Sequence, residues 1–313
     1  MLSNKSKQTG SALISALFIM TMVAIAATAM SSRLQLDINR VRLGILSDKL
    51  YLASQAVSFW SLNQLSMKKN YTSSDSAGKI LEFPRKLQTI YPELIIKGSL
   101  YDLQSRFNLN NLTDKKYAST FLKLLEKTPT KLNPAQRGQL VLAIYNWITP
   151  YQPGRGQDEF LNYYLHQKPP HYPAQQLLQH LSEFRLIKDV NAQLYMTLAN
   201  FLTVLPEVTP ININTTSPEV LASLGNGLNP SQVNELIEAR GDTGFQDTKR
   251  LGPILQKLNI RSEQVTIESQ YFLSIAFVSN QELNLTVYTV LKRSKDKKGN
   301  ITVSVIRESL NSP

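Results

Sequence analysis

The chain of 313 residues contains no cysteine. That excludes disulfides, thiolate metal sites, a cysteine nucleophile and a lipid-modified cysteine, and it makes the chain indifferent to the redox state of its compartment. Histidine is scarce: His166, His171 and His180 are the only three, and Pro169, Pro170 and Pro173 lie among them, so no helical face gathers them for a metal. There is no Walker loop, no G-x-S-x-G, no H-E-x-x-H and no dinucleotide fingerprint, so no enzymatic activity is expected. Charge is absent from Ser11 to Ser32, and proline is absent from Ser11 to Phe83.

Those last two absences define the start of the chain. An uncharged run of about 22 residues is long enough to cross the hydrocarbon core of a bilayer as a helix. Three readings fit it: a secretory signal cut at Ala27-Thr28-Ala29, a plain membrane anchor, or a prepilin-type signal cut after Gly10 with the apolar helix retained. Charge does not choose, since Lys5 and Lys7 precede the run and Arg33, Arg40 and Arg42 come after it. The residues beyond the run favour retention. Leu34, Ile38, Val41, Ile45, Leu52, Ala56 and Phe59 recur at steps of three, four or seven, one stripe of an amphipathic helix. A helix from Ser11 to about Leu65, interrupted only by Gly44, would be on the order of 80 Å long. That spine, Leu34 to Phe59, is the expected contact stripe.

In the body, Asn70 to Gly78 reads as a polar loop ending the spine. Leu94-Ile95-Ile96 and Ser99 to Leu103, parted by Lys97-Gly98, read as a short hairpin. From Thr113 the pattern turns helical, through Phe121 to Leu125 and Leu140 to Trp147. Leu132-Asn133-Pro134-Ala135-Gln136 and Leu228-Asn229-Pro230-Ser231-Gln232 are near copies, each with Asn as N-cap and Pro at the first helical position. They read as shared capping chemistry rather than a domain repeat. Thr149 to Gly156 and Lys168 to Pro173 are loops. Tyr271 to Val278, Leu283 to Leu291 and Ile301 to Ile306 read as strands, the last two joined at Lys297 to Asn300. The expected fold is α+β: a long spine helix packed on a small antiparallel sheet, with a large mainly helical domain inserted in the sheet.

Four local signatures coincide. Gly10-Ser11-Ala12-Leu13 before an apolar helix resembles a prepilin signal, with Ser15 where pilins carry Glu. Asp102 to Leu112 (Asp-Leu-Gln-Ser-Arg-Phe-Asn-Leu-Asn-Asn-Leu), Ser182-Glu183-Phe184-Arg185-Leu186 and Ile211-Asn212-Ile213-Asn214-Thr215 complete the set. Together they resemble the minor pseudopilin protein K family of the type II secretion system, over essentially the whole chain. The resemblance implies a leader at 1–10, a transmembrane half of the spine at 11–32, a pilin-like α/β domain at 33–107 and 269–313, and an inserted helical domain at 108–268. It implies prepilin cleavage between Gly10 and Ser11, methylation, a single inner-membrane span and a periplasmic body in a Gram-negative cell. It also implies a role in initiating and capping the pseudopilus tip, with minor pseudopilins I and J, prepilin peptidase and the inner-membrane assembly platform as partners.

The resemblance further implies calcium in the inserted domain. Its acidic ligands are largely replaced here: the matching stretch is Tyr145-Asn146-Trp147-Ile148-Thr149-Pro150, and Asp158 and Glu159 are the nearby carboxylates. Calcium takes six to eight oxygens, so Asp158 and Glu159 alone make a poor set. Three rival readings stand beside this one. One is a secreted protein cut after Ala29, and another is a minor pilin of a type IV pilus. The third is a nucleic-acid binder using the helix-hairpin-helix-like segment 216–250, which a net charge of +11 would suit. Against the last, Gly225-Asn226-Gly227-Leu228 brings no basic residue to the hairpin, while Glu235 and Glu238 come after it. The charged run Lys292 to Lys298 reads as a solvated turn.

Overall fold

Without proline and almost without glycine, nothing in the first sixty residues stops a helix once it has begun. Accordingly α1 runs from Thr9 to Ser66 without a break. The computed structural model describes residues 9–68, 71, 74–75, 78–89, 91–154 and 156–312; most of the expected leader and parts of the 70–78 loop lie outside them. By its internal contacts the chain divides into two units, Met1–Leu52 and Ala53–Pro313. The first is helix throughout its described residues, with its apolar side chains from Leu13 to Ile45 exposed, Phe18 and Ile25 among them.

In the second unit the end of α1 is followed by β1 (Lys79–Glu82) and β2 (Ile95–Asp102). The segment expected to be a hairpin around Lys97-Gly98 is instead one continuous strand. Gly98 is there for space, not for turning: a Cβ at this position would lie 2.9 Å from Phe83 Cβ and 3.0 Å from Val57 Cγ2.

A helical block comes after β2. In chain order it comprises β3 (Phe107–Asn108), α2 (Ala118–Lys127), α3 (Pro134–Ile148), α4 (Asp158–Leu165), α5 (Ala192–Leu198), β4 (Leu202–Thr203), β5 (Ile211–Asn212), α6 (Pro218–Ala222), α7 (Pro230–Arg240), α8 (Thr248–Lys257) and β6 (Val265–Thr266). Four of its helices, α3, α5, α7 and α8, begin at side-chain caps. Asn133 and Asn229 each form a full capping box with the Gln three residues on, with Pro in the first turn. Asn191 and Asp247 cap α5 and α8. The core of the block joins Phe107, Phe121, Leu140, Trp147, Phe184 and Leu221.

The chain then returns to the sheet as β7 (Tyr271–Ser279), β8 (Asn284–Lys295) and β9 (Ile301–Leu310). All neighbours in the order β1-β2-β7-β8-β9 are antiparallel. The β8–β9 turn is closed by Asp296, which accepts from the amides of Lys298 and Asn300. The long N-terminal helix, the antiparallel sheet and the helical block between its second and third strands match the expected fold class.

The face of α1 that meets this sheet lies apart from the apolar row of Leu34 to Phe59. Ala53, Val57, Ser61 and Leu65, at steps of four, are buried, with Ser54 and Ser58 beside them. Ser61 and Ser274 hydroxyls lie 2.8 Å apart, and Ser58 and Thr289 hydroxyls 3.4 Å apart. Small side chains let helix and sheet approach closely, and the paired hydroxyls satisfy one another in the dry interface. Arg293 of β8 donates to the Met67 carbonyl just beyond the helix end, where carbonyls lack helical partners.

Candidate functional site

Three regions carry the expected function: the apolar start of α1, the exposed stripe along it, and the helical block. In the first, polar side chains fold back on their own helix. The Ser15 hydroxyl donates to the Ser11 carbonyl at 2.9 Å, Thr28 to Ala24 and Ile25, and Ser32 to Thr28. The run therefore offers lipid no unsatisfied side-chain hydroxyl at these positions, and by length and composition it is able to span a membrane. Gly10 and Ser11 both lie inside the helix.

The stripe chosen from the sequence is exposed. Leu34, Ile38, Val41, Ile45, Leu52 and Phe59 are each more than half accessible, Phe59 at 68%, and Ala56 is half-buried. It is not the face that packs on the chain's own sheet, which carries Leu50, Ala53, Val57, Trp60 and Leu65. It remains an apolar row available to other molecules.

In the block, asparagine side chains act as clamps between distant segments. Asn108 Oδ1 accepts from Asn110 N, a local turn, and also from Leu205 N, 97 positions away. Asn110 Oδ1 accepts from Leu178 N, while its Nδ2 donates to the Leu178 and Leu205 carbonyls. Asn111 exchanges two bonds with the backbone of Thr209. The second motif repeats the plan. Asn212 Oδ1 accepts from Asn214 N; Asn214 Oδ1 accepts from Phe245 N, and its Nδ2 donates to the Phe245 and Ile267 carbonyls.

The surroundings repeat as well. Each motif sits on a two-residue strand in parallel pairing, β3 with β4 and β5 with β6, and each is followed by a helix pair whose second helix opens with the Asn-Pro-x-Gln box. The near copies at Leu132 and Leu228 therefore belong to two equivalent units, and reading them as capping chemistry alone is corrected.

Between block and sheet stands Asp102, fully buried at the end of β2. Its Oδ1 accepts from Gln104 N; its Oδ2 accepts from Asn212 Nδ2, Thr215 Oγ1 at 2.6 Å and Ser269 Oγ at 2.7 Å. Burial pushes the Asp102 carboxyl up from its ordinary range, against the four hydrogen bonds, which favour the ionised form. A second tie joins Glu207, before β5, to the sheet: Tyr271 donates its hydroxyl to Glu207, and Lys292 Nζ lies 2.7 Å away.

The proposed calcium ligands do not converge. Asp158 Oδ1 accepts the Tyr151 hydroxyl, Glu159 is largely exposed with Lys188 Nζ 3.9 Å off, and the Asn146 amide donates to Leu142 O. Among the described residues no three His, Asp or Glu side chains cluster as a metal site. His166 and His171 each direct Nδ1 at a local carbonyl. The donor set does not fit calcium. The glycine hairpin is equally structural: a Cβ on Gly225 would press on the Leu258 carbonyl at 2.8 Å, and the Lys123 stem covers Gly227 while its ammonium pairs with Glu126.

Two sequence models describing type II secretion system protein K match residues 105–207 and 211–271. The chain belongs to the protein K family of the type II secretion system. The two matched segments coincide with the two asparagine-clamped units, Phe107 to Leu205 and Ile211 to Ile267. A type II secretion system protein K from Pseudomonas aeruginosa is 30% identical over 211 residues, 65% of this chain and 62% of the relative, so the aligned part is just under two thirds of that relative's length. The protein K of Aeromonas hydrophila is 24% identical over 318 residues, 93% of this chain and 95% of the relative. A chain from the crystal structure of the GspK-GspI-GspJ complex of enterotoxigenic Escherichia coli superposes with a TM-score of 0.69 at 19% identity, covering 88% of this chain and 100% of that one. The protein K fold thus extends over both the sheet and the clamped block.

Proposed function

We propose that this chain is a minor pseudopilin of the type II secretion system that initiates and caps the pseudopilus tip. The observation that carries this is the continuity of α1, which leads from an apolar run able to cross a membrane straight into the helix that packs on the sheet. A cleavable secretory signal does not continue as the packing helix of its mature domain. In this reading 1–10 is a leader removed between Gly10 and Ser11, 11–32 spans the inner membrane, and the body lies in the periplasm. The α/β domain takes 33–107 and 269–313, and the inserted domain takes 108–268.

The tip position is supported by Ser15. A buried carboxylate at that place would demand a cationic partner from a neighbouring subunit. Ser15 makes its bond to its own helix and demands none. Pseudopilins I and J are the partners, in keeping with the E. coli complex in which the structural relative was solved; prepilin peptidase and the inner-membrane platform complete the set. The role is structural and not catalytic. N-terminal sequencing of the mature protein tests the reading. Ser11 as first residue is expected, and Met30 as first residue would sink it; replacement of Gly10 is expected to block maturation and secretion together.

A further inference from the structure

We infer that a neutral side-chain clasp centred on Gln157 ties the end of α3 and Gln152 to the start of α4, in the place where relatives are expected to use calcium, so that these points are held together without a cation. The chain must reverse between Thr149, the residue just after α3, and Asp158, which begins α4, and three points of that loop are tied through one amide. Gln157 Oε1 accepts from the backbone amide of Gln152 at 2.6 Å, which holds the middle of the loop. Gln157 Nε2 donates to Thr149 Oγ1 at 3.4 Å, and the Thr149 hydroxyl in turn donates to the Tyr145 carbonyl at 2.7 Å, inside the last turn of α3. The Tyr151 hydroxyl adds a fourth tie by donating to Asp158. A cation bridging helix end, loop and next helix start would perform this same task with carboxylates.

The oxygens are already committed. Gln157 Oε1, Thr149 Oγ1 and Asp158 Oδ1 each take a hydrogen bond from the protein, and Glu159 lies toward Lys188. A hollow of about 300 Å³ beside the loop, bordered by Asn146, Thr149 and Gln157, has no acidic residue in its lining. Two carboxylates that do not converge bring too little charge to one place for a calcium site. A primary amide suits the substitute role, because it carries both a donor and an acceptor and needs no compensating charge. The inference rests on this loop's geometry and not on the tip assignment.

Hydrogen exchange and thermal unfolding of the full-length chain in detergent, in millimolar calcium chloride and in EDTA, test it. Exchange at residues 150–157 and the unfolding temperature are expected to be the same in both, whereas an occupied site would raise the temperature by several degrees. Gln157→Ala is expected to speed exchange in the loop on the order of tenfold, the loss of roughly one hydrogen bond's worth of protection, with distant helices unchanged. Calcium-dependent slowing of exchange that Asp158→Asn abolishes would overturn the inference, and so would a Gln157→Ala variant whose loop exchanges like the wild type. Both readouts are independent of secretion, so their failure is separable from that of the pseudopilin reading.

Discussion

Val57 of α1 occupies the space where a side chain on Gly98 of β2 would stand. The pair sets how closely the helix lies on the sheet. Gly98→Ala is therefore expected to destabilise the chain by about 1–3 kcal/mol through overpacking, although glycine elsewhere in a strand interior is usually improved by alanine. Val57→Ala alone should also destabilise, by removing a buried side chain. Combined with Gly98→Ala it should restore part of the loss, a coupling above about 0.5 kcal/mol in a double-mutant cycle by urea unfolding. Simple additivity would contradict the contact.

Asn110 and Asn214 hold equivalent places in the two units, each with three long-range bonds. Replacing either by alanine leaves one buried amide and two buried carbonyls without their side-chain partner. Each variant should lose roughly 2–4 kcal/mol, since every orphaned buried group costs on the order of 1 kcal/mol or more. Comparable losses at the two positions, measured by chemical unfolding, are the expected outcome; a large loss at one and none at the other would argue against the equivalence.

The Glu207 tie gives a pH signature. Lys292 and then Tyr271 hold the Glu207 carboxyl below its ordinary 4.5 by hydrogen bonding to the charged form. A carboxyl whose folded pKa is depressed adds stability above the unfolded pKa, and that contribution disappears as pH falls through the folded value. Glu207→Gln should thus be less stable than wild type at neutral pH by at most about 1 kcal/mol, because the pair is half-exposed to solvent. The two unfolding curves should converge as pH drops below the usual carboxylate range. A difference that persists undiminished at pH 2–3, on the order of the neutral one, would assign the loss to packing.

The exposed row on α1 separates stability from function. Phe59→Ser and Leu52→Ser alter side chains that are 68% and 62% accessible, so thermal stability of the purified chain should move by no more than about 0.5 kcal/mol. Secretion of a type II substrate into culture medium should nevertheless fall, because we propose the row as the surface that meets neighbouring pseudopilins. Normal secretion by both variants would remove the row from the interface.

Much of the fold was legible because its causes are local. The proline-free start gave α1, the Asn-Pro-x-Gln boxes gave the starts of α3 and α7, and alternation at Leu285, Val287 and Ile301, Val303 gave the last strands. The features that escaped depend on distant partners. Gly98 looks like a turn until Val57 is placed against it. An Asn run by itself signals only local bonds such as that of Asn108 with Asn110, but the bonds to Leu178, Leu205 and Phe245 join positions 31 to 97 residues apart. The sheet-facing side of α1 is hard to read because Ala53, Ser54, Ser58 and Ser61 stand among its buried Leu50, Val57, Trp60 and Leu65 and dilute the apolar pattern. At the loop, the shortage of carboxylates was visible, but the role of Gln157 was not, since only the fold brings its amide to both Gln152 and Thr149.

The helical block leaves the sheet after Asp102 and rejoins it at Tyr271, and these two ends belong to adjacent antiparallel strands paired at Asp102–Phe272. A pull on the block therefore enters the sheet at one end of two neighbouring strands and runs along their axes. The ladder between β7 and β8, in register from Tyr271–Lys292 to Ser279–Asn284, meets that force in shear, so its rungs resist together and do not open one after another. A load on the block is therefore shared along the whole β7–β8 ladder.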